Sequence, residues 1–278
     1  MSLSRRKFLK LSLNSAVIIT AGNILRPLGK DFLNNFSADD LLCRFAIASD
    51  GHYGQADTQY GWHHNQMIHW INLEKNKRGI DFTVINGDVF HNDVSYLKEV
   101  KSKWDNLTMP YYVSHGNHDQ TDEANWASVW NLPWNSTFEH KDAGFIVLNT
   151  ADRRGNFTCP DVEWTKTHLQ QYAAKKQLFV FMHITPFTWT KGGNACPAIV
   201  ELFDQQPNLK AVFHGHDHDQ DDVKENNGKH YFFDSHVAGD WGTAYNGYRV
   251  VEIFKDGQVL TYQMNPSSKK QVNNNTIS

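Results

Sequence analysis

Five apolar runs in this chain each stop on a small cluster of glycine, aspartate, asparagine or histidine, and that repetition narrows the fold more than any other feature. Residues 44–49 run into Asp50-Gly51-His52, residues 81–86 into Gly87-Asp88, and residues 110–115 into Gly116-Asn117-His118-Asp119. Later, residues 177–182 stop at His183, and residues 211–213 stop at Gly215 with His214 and His216 on either side. Segments of helical spacing separate the early runs, as where Met67, Ile68, Trp70, Ile71 and Leu73 share a face within residues 59–78. Strands alternating with helices define an α/β chain, and open α/β sheets gather their ligands at the carboxyl ends of their strands. The five clusters are therefore expected along one sheet edge.

The other expected elements complete one domain over residues 37–266. They are a helix over 94–107, a short helix before Pro133, a hairpin over 138–149, a helix from Pro160 to residue 175 and a short helix over 197–205. Strands follow over 231–234, 248–254 and 259–264, the last two joined by the turn 255–258. There is no repeat and no convincing linker, and residues 267–278 form a polar, asparagine-rich tail. The 278 residues include three cysteines, which form no CxxC pattern; Cys159 and Cys196 could meet, but buried free thiols are the expectation for all three.

The N-terminus reads as an address. Ser4-Arg5-Arg6-Lys7-Phe8-Leu9-Lys10 resembles the twin-arginine export signal, and an apolar stretch too short and polar for a membrane span follows. Residues 1–36 are accordingly expected to be a signal peptide and linker, taking the chain to the periplasm or otherwise out of the cytoplasm by the twin-arginine translocase. Membrane contact is expected only if the signal stays uncleaved. Residues 1–30 hold six of the 27 lysines and arginines and no acid, so the remainder carries 21 basic against 30 acidic groups, a net charge of about −9. Such a chain lacks the basic surface of a nucleic-acid binder, and no stable nucleic-acid partner is expected.

The strand-end clusters offer two carboxylates, an amide oxygen and four imidazoles besides His118. A tetrahedral zinc site takes four ligands, so this set suits two metals sharing a carboxylate. Mixed oxygen and nitrogen donors without thiolate point to manganese, iron or zinc.

In order, D-x-H, G-D, G-N-H-D, H and G-H-x-H, this series resembles the calcineurin-like metallophosphoesterase superfamily from about Arg44 to His216. The resemblance implies a four-layer α/β/β/α sandwich, two mixed sheets packed face to face and flanked by helices. It also implies that Asp50, His52 and His216 hold one ion, that Asp88 bridges, and that Asn117, His183 and His214 hold the other. His118 would stand outside the ligand set, giving a proton or hydrogen bond to the leaving oxygen while a metal-bound hydroxide attacks phosphorus. Where many members have an acid three residues after the bridging aspartate, this chain has His91. Either His91 supports the site in another way, or Asp93 or Asp119 supplies the missing carboxylate.

The expected activity is hydrolysis of a small phosphoester, as a phosphodiesterase on a substrate that could be a nucleotide, or alternatively as a phosphomonoesterase. A metal-dependent binding module without catalysis is the remaining reading. His63 and His64 are expected on an exposed helix face, and His218 in a solvated turn or supporting the site from outside. Trp126, Trp130, Trp134, Trp189 and Trp241 are candidates for stacking on a base, each weighed against ordinary packing.

Overall fold

The computed structural model describes residues 38–266 together with the strands Val17–Thr20 and Asn23–Leu25. The Arg5-Arg6 pair and the tail 267–278 lie outside the described residues. In chain order the strands are β1 (Val17–Thr20), β2 (Asn23–Leu25), β3 (Leu41–Ala48), β4 (Phe82–Asn86), β5 (Tyr111–Ser114), β6 (Ser136–His140), β7 (Ala143–Leu148), β8 (Gln177–Met182), β9 (Leu209–His214), β10 (Val223–Asn226), β11 (Lys229–Phe233), β12 (Tyr248–Phe254) and β13 (Val259–Met264). The helices are α1 (Tyr60–Arg78), α2 (Leu97–Trp104), α3 (Glu123–Trp130), α4 (Val162–Gln171) and α5 (Pro197–Asp204).

Period-two patterning sorts these strands into two sheets with a shared interior. In β3, Phe45 and Ile47 point into a cluster with Phe82, Phe145, Phe179, Phe181, Phe213 and Phe232, whereas Ala46 and Ala48 face the helices α1 to α3. In β8, Phe179 and Phe181 enter the same interior while Leu178, Val180 and Met182 face α4 and α5. Strands buried on both faces read as continuous apolar runs, which is why the early runs showed little alternation. Each enclosed phenylalanine contributes roughly 1.5–3 kcal/mol by its removal from water.

One sheet has seven strands in the order β2-β1-β13-β12-β3-β4-β5 and the other six in the order β10-β11-β9-β8-β7-β6. Both are mixed: β3, β4 and β5 run parallel, as do β7, β8, β9 and β11, with antiparallel strands outside them. The result is the expected four-layer sandwich. The parallel cores of both sheets deliver the ends of β3, β4, β5, β8 and β9 to one region.

Helix ends follow local chemistry. Asp122 and Asp161 cap α3 and α4 by accepting from the backbone N–H of Asn125 and Trp164, and Pro197 occupies the first turn of α5. The expected helix over 94–107 divides into a 3-10 turn, Val94–Tyr96, and α2, with Asp93 capping the turn through the Ser95 N–H. Strand β10 was missed because Val-Lys-Glu-Asn carries a single apolar residue. Its signal was the Asn227-Gly228 pair, both at positive φ, which turns β10 back onto β11.

The cysteine expectation is corrected. Cys159 and Cys196 form a disulfide, and only Cys43 is free and buried among the described residues. The two lie in the loops after β7 and β8, which are parallel neighbours, so their carboxyl-end loops run side by side. Spacing in sequence carries no trace of that adjacency.

Candidate metal centre

The carboxyl ends of the parallel strands bring buried acids and imidazoles together in two adjoining clusters. Asp50, His52 and His218 form one and Asp88, His183 and His216 the other, the donor atoms within each lying inside 4.8 Å of one another. Asp88 faces both: its Oδ2 lies 3.1 Å from His183 Nε2 and 3.7 Å from His52 Nε2. That is the position a bridging carboxylate requires.

Close backbone approach makes this convergence possible, and glycine permits it. A Cβ on Gly116 would fall 2.2 Å from the Asp88 nitrogen, and one on Gly215 would fall 1.9 Å from Ser49 Oγ and 2.5 Å from Asp50 Oδ2. Gly116 is thus required for space, since its φ is not among the positive ones. Positive φ belongs instead to the functional side chains: Asp50 (57°), His52 (42°), Asp88 (49°), Asn92 (62°) and His216 (66°) all sit in the left-handed region. Residues with a Cβ rarely rest there, and such backbone persists where the surroundings hold it.

The charges are arranged for cations. Asp50 and Asp88 are fully buried, and burial alone would raise their pKa. His218 and His183 outweigh burial at Asp50, as His183 and His52 do at Asp88, and hold both carboxyls well below the usual range. Burial disfavours a charge on His183, but Asp88 and Asp50 overcome it and raise the imidazole to about 10. Burial takes His52 the other way, down to about 3. Two buried carboxylates are thus balanced by imidazolium protons, the charge that metal ions would replace.

Hydrogen-bond accounting agrees. His183 Nδ1 lies 2.7 Å from the Asn86 carbonyl, and donation there fixes the ring with its Nε2 aimed at Asp88 Oδ2, where an ion would displace the Nε2 proton. The Oδ1 of Asn117 is buried without a hydrogen-bond partner, and His183 Nε2 faces only the carboxylates of Asp88 and Asp50. A buried amide oxygen left open, beside a set of carboxylate and imidazole donors in two adjoining clusters, fits two divalent ions.

The last sequence motif needs correction. His214 and His216 were expected as ligands, but the structure brings together His216 and His218, so G-H-x-H is Gly215-His216-Asp217-His218, two residues later. His214, the final residue of β9, points to the sheet's helix side. Its Nδ1 is 3.0 Å from the Met182 carbonyl and its ring stacks 5.9 Å from Tyr231. His218 is buried, not solvated, with Nε2 2.9 Å from His52 Nε2 and 3.1 Å from Asp50 Oδ1. Three histidines at alternate positions allow two phases, and strand direction decides between them: Phe213 enters the inter-sheet core, so His214 must face the other way.

The supporting residues are also reordered. His118 is half-buried at the mouth; its backbone N–H donates to Asp88 Oδ1 (2.7 Å) and its Nδ1 lies 2.8 Å from Asn92 Oδ1. Asn92, which sequence reasoning missed, is therefore the side chain that orients His118. Its signal was its place four residues after Asp88 in the loop that holds the expected acid. His91 stacks on His118 at 4.6 Å and puts Nδ1 3.0 Å from His52 Nδ1. Asp93 only caps its 3-10 turn, and Asp119 accepts from the Phe90 and Gly116 N–H groups, bracing the loops from below.

His64, expected on an exposed face, is fully buried, with its ring against Tyr53 and Trp104. Trp126 and Trp130 belong to the core, while Trp241 is half exposed and stacks on His218. Two further groups bring three donors together: His52, His91 and His118 beside the centre, and Cys43, Asp81 and His140 at the opposite end of the strands, where burial and Asp81 push the Cys43 thiol upward.

Residues 43–220 match the calcineurin-like phosphoesterase family, and the chain belongs to that family. Its members are dinuclear metal-dependent phosphoesterases. Among solved structures, a dimetal phosphatase from Danio rerio is similar at 12% identity and a TM-score of 0.66, covering 82% of this chain and 100% of its own. A calcineurin-like phosphoesterase from Bacillus subtilis is similar at 13% identity and a TM-score of 0.50, covering 84% of this chain and 93% of its own. The NAD nucleotidase of Haemophilus influenzae matches at 11% identity and a TM-score of 0.50, over 80% of this chain and 49% of its own. At such identities these likenesses establish the shared fold. No curated protein sequence matches this one.

Proposed function

We propose that this chain is an exported dinuclear phosphodiesterase acting on a small phosphoester, with Asp50, His52 and His218 holding one ion, Asn117, His183 and His216 the other, and Asp88 both. The observation that carries the reading is the convergence of Asp50, His52 and His218, and of Asp88, His183 and His216, in two adjoining buried clusters, with the Asn117 Oδ1 buried and unpartnered and His118 outside the ligand set. When bound, the ions polarise the phosphoryl oxygens and make a water nucleophilic near neutral pH. The chain itself supplies orientation and a proton. Asn92 fixes the His118 ring through Nδ1, so that Nε2 is the atom free to meet the leaving oxygen. The Asp88 carboxylate holds the His118 backbone, which ties the position of the acid to that of the bridging ligand. Asp50, through Oδ1 and Oδ2, accepts from the His216 N–H at 3.0 and 3.1 Å and so couples the two clusters.

Export is supported by the arginine pair and by the Cys159–Cys196 bond, since disulfides persist mainly in oxidising compartments. The test of function is a substrate panel on protein reconstituted with manganese, iron or zinc. It compares bis(p-nitrophenyl) phosphate, p-nitrophenyl phosphate and cyclic nucleotides. Turnover of the diesters above the monoester is expected, and none of any compound at two bound equivalents would overturn the reading.

A further inference from the structure

Two large rings stand half exposed beside this buried, charged centre, one against each cluster. Trp241 keeps 51% of its surface and lies flat on His218, with ring centroids 4.4 Å apart and planes 1° from parallel. Phe157 keeps 42% and meets His216 edge-on at 5.0 Å. Neither ring is loosely placed. The Trp241 carbonyl lies 3.1 Å from His218 Nδ1, and His236 backs the other side of His218 at 5.1 Å. The Phe157 loop is closed by Asp152, which accepts from the N–H groups of Arg154 and Asn156. It rests on the Asn117 carbonyl at Gly155, where a Cβ would come within 2.3 Å, and two residues beyond Phe157 the disulfide anchors it. Exposed aromatic faces held rigidly beside a reacting centre are suited to stacking on a flat substrate group.

We propose that Trp241 and Phe157 are the walls of two subsites, each receiving one flat, unsaturated arm of a phosphodiester, as a nucleobase or an aryl group would supply. This rests on the phosphoesterase reading above. A diester projects two organic arms from phosphorus and a monoester only one, and here each cluster has its own exposed ring. The arm that departs lies on the Trp241 side, because His52 contacts the rings of both His118 and His218 at 4.8 Å. The exposed Arg153 and Arg154, in the Phe157 loop, add positive charge on the side of the retained arm, whose phosphoryl group gains a negative charge when the other arm departs.

The test measures equilibrium binding of dimethylphosphinate, methylphenylphosphinate and diphenylphosphinate to the metal-loaded protein by calorimetry. All three are monoanions with P–C bonds that are not hydrolysed, so binding is read without turnover. Each phenyl group is expected to tighten binding about tenfold. Trp241→Ala and Phe157→Ala should each abolish one of these steps, the double variant should bind all three alike, and Trp241→Phe should restore most of its step. Unchanged melting temperatures and metal contents confirm that the surface substitutions leave the fold intact. With p-nitrophenyl phosphate, whose one ring is the leaving group, only Trp241→Ala should lower kcat/KM. A full phenyl gradient in both single variants would overturn the subsites. Hydrolysis of bis(p-nitrophenyl) phosphate by the unsubstituted protein separates the two ideas. Turnover with a gradient that neither substitution changes removes the subsites alone. A gradient abolished by the substitutions, without turnover, removes the phosphoesterase reading and leaves the walls standing.

Discussion

Replacing His214 and His218 one at a time distinguishes the ligand set built by the structure from the order suggested by the motif. His218→Ala removes an Nε2 lying 3.1 Å from Asp50 Oδ1 and leaves that fully buried carboxylate with one cationic neighbour fewer. Outer hydrogen-bond partners of a metal ligand are commonly worth 10–100-fold in metal affinity, so a direct ligand is expected to cost at least about 100-fold. His214→Ala removes a ring packed against Tyr231 and Phe233 and the bond to the Met182 carbonyl, with no donor lost from either cluster. Truncating a large buried side chain costs roughly 2–4 kcal/mol, or about 5–15 °C in melting temperature for a domain of this size. Inductively coupled plasma mass spectrometry after dialysis gives metal per chain, and calorimetric melting gives stability. His214→Ala should retain two equivalents and melt earlier, and His218→Ala should retain one. Loss of metal from His214→Ala, with two equivalents kept by His218→Ala, would refute the structural assignment.

Three further outcomes are expected. Asn92→Ala frees the His118 ring and should lower kcat about 10- to 100-fold at unchanged metal content, measured by steady-state kinetics on the diester. His64 is held neutral by burial, its pKa down at about 4 against 6.5 in the unfolded chain. The unfolded state therefore takes up a proton first on acidification, and a contribution present above pH 6.5 is lost as pH falls to about 4, some 3 kcal/mol in all; urea unfolding at several pH values should show His64→Gln with a flatter profile than the unsubstituted chain. Replacing both Cys159 and Cys196 by Ser opens a loop closed across 37 residues and should lower stability by about 4 kcal/mol, and denaturation midpoints insensitive to reductant would argue against the bond.

An α/β fold was legible because its parallel strands are buried on both faces and stop on residues that no interior strand tolerates; that it is a four-layer sandwich was implied by the resemblance of the motif series to a known family. Asp50, His52, Asp88, Asn117 and His183 could be named because each sits at the end of an apolar run, and the structure brings the two aspartates and two histidines together. The histidines after β9 defeated the same logic, since alternate positions offer two registers and only the direction of Phe213 into the core selects one. Asn92 escaped because the orienting partner was sought among carboxylates, whereas the loop presents a neutral amide held at positive φ. The disulfide depends on two loops made neighbours by sheet order, which is a property of topology rather than of spacing. Polar β10 shows the converse, a strand recruited by its turn and its neighbour rather than by its own propensity.

The left-handed backbone at Asp50, His52, Asp88 and His216 has a consequence for how this protein can change. At His52 and His216 a glycine would relax the backbone by about 1 kcal/mol, whereas losing Asp50 or Asp88 would strip His183 and His218 of the carboxylates that hold their charge and would be destabilising. A population screened for heat resistance alone, in the absence of metal, should therefore accumulate gains at His52 and His216, two of the residues that hold the ions. Thermal robustness and catalysis are set in opposition at these two backbone positions, and selection for one must be paired with selection for the other to keep both.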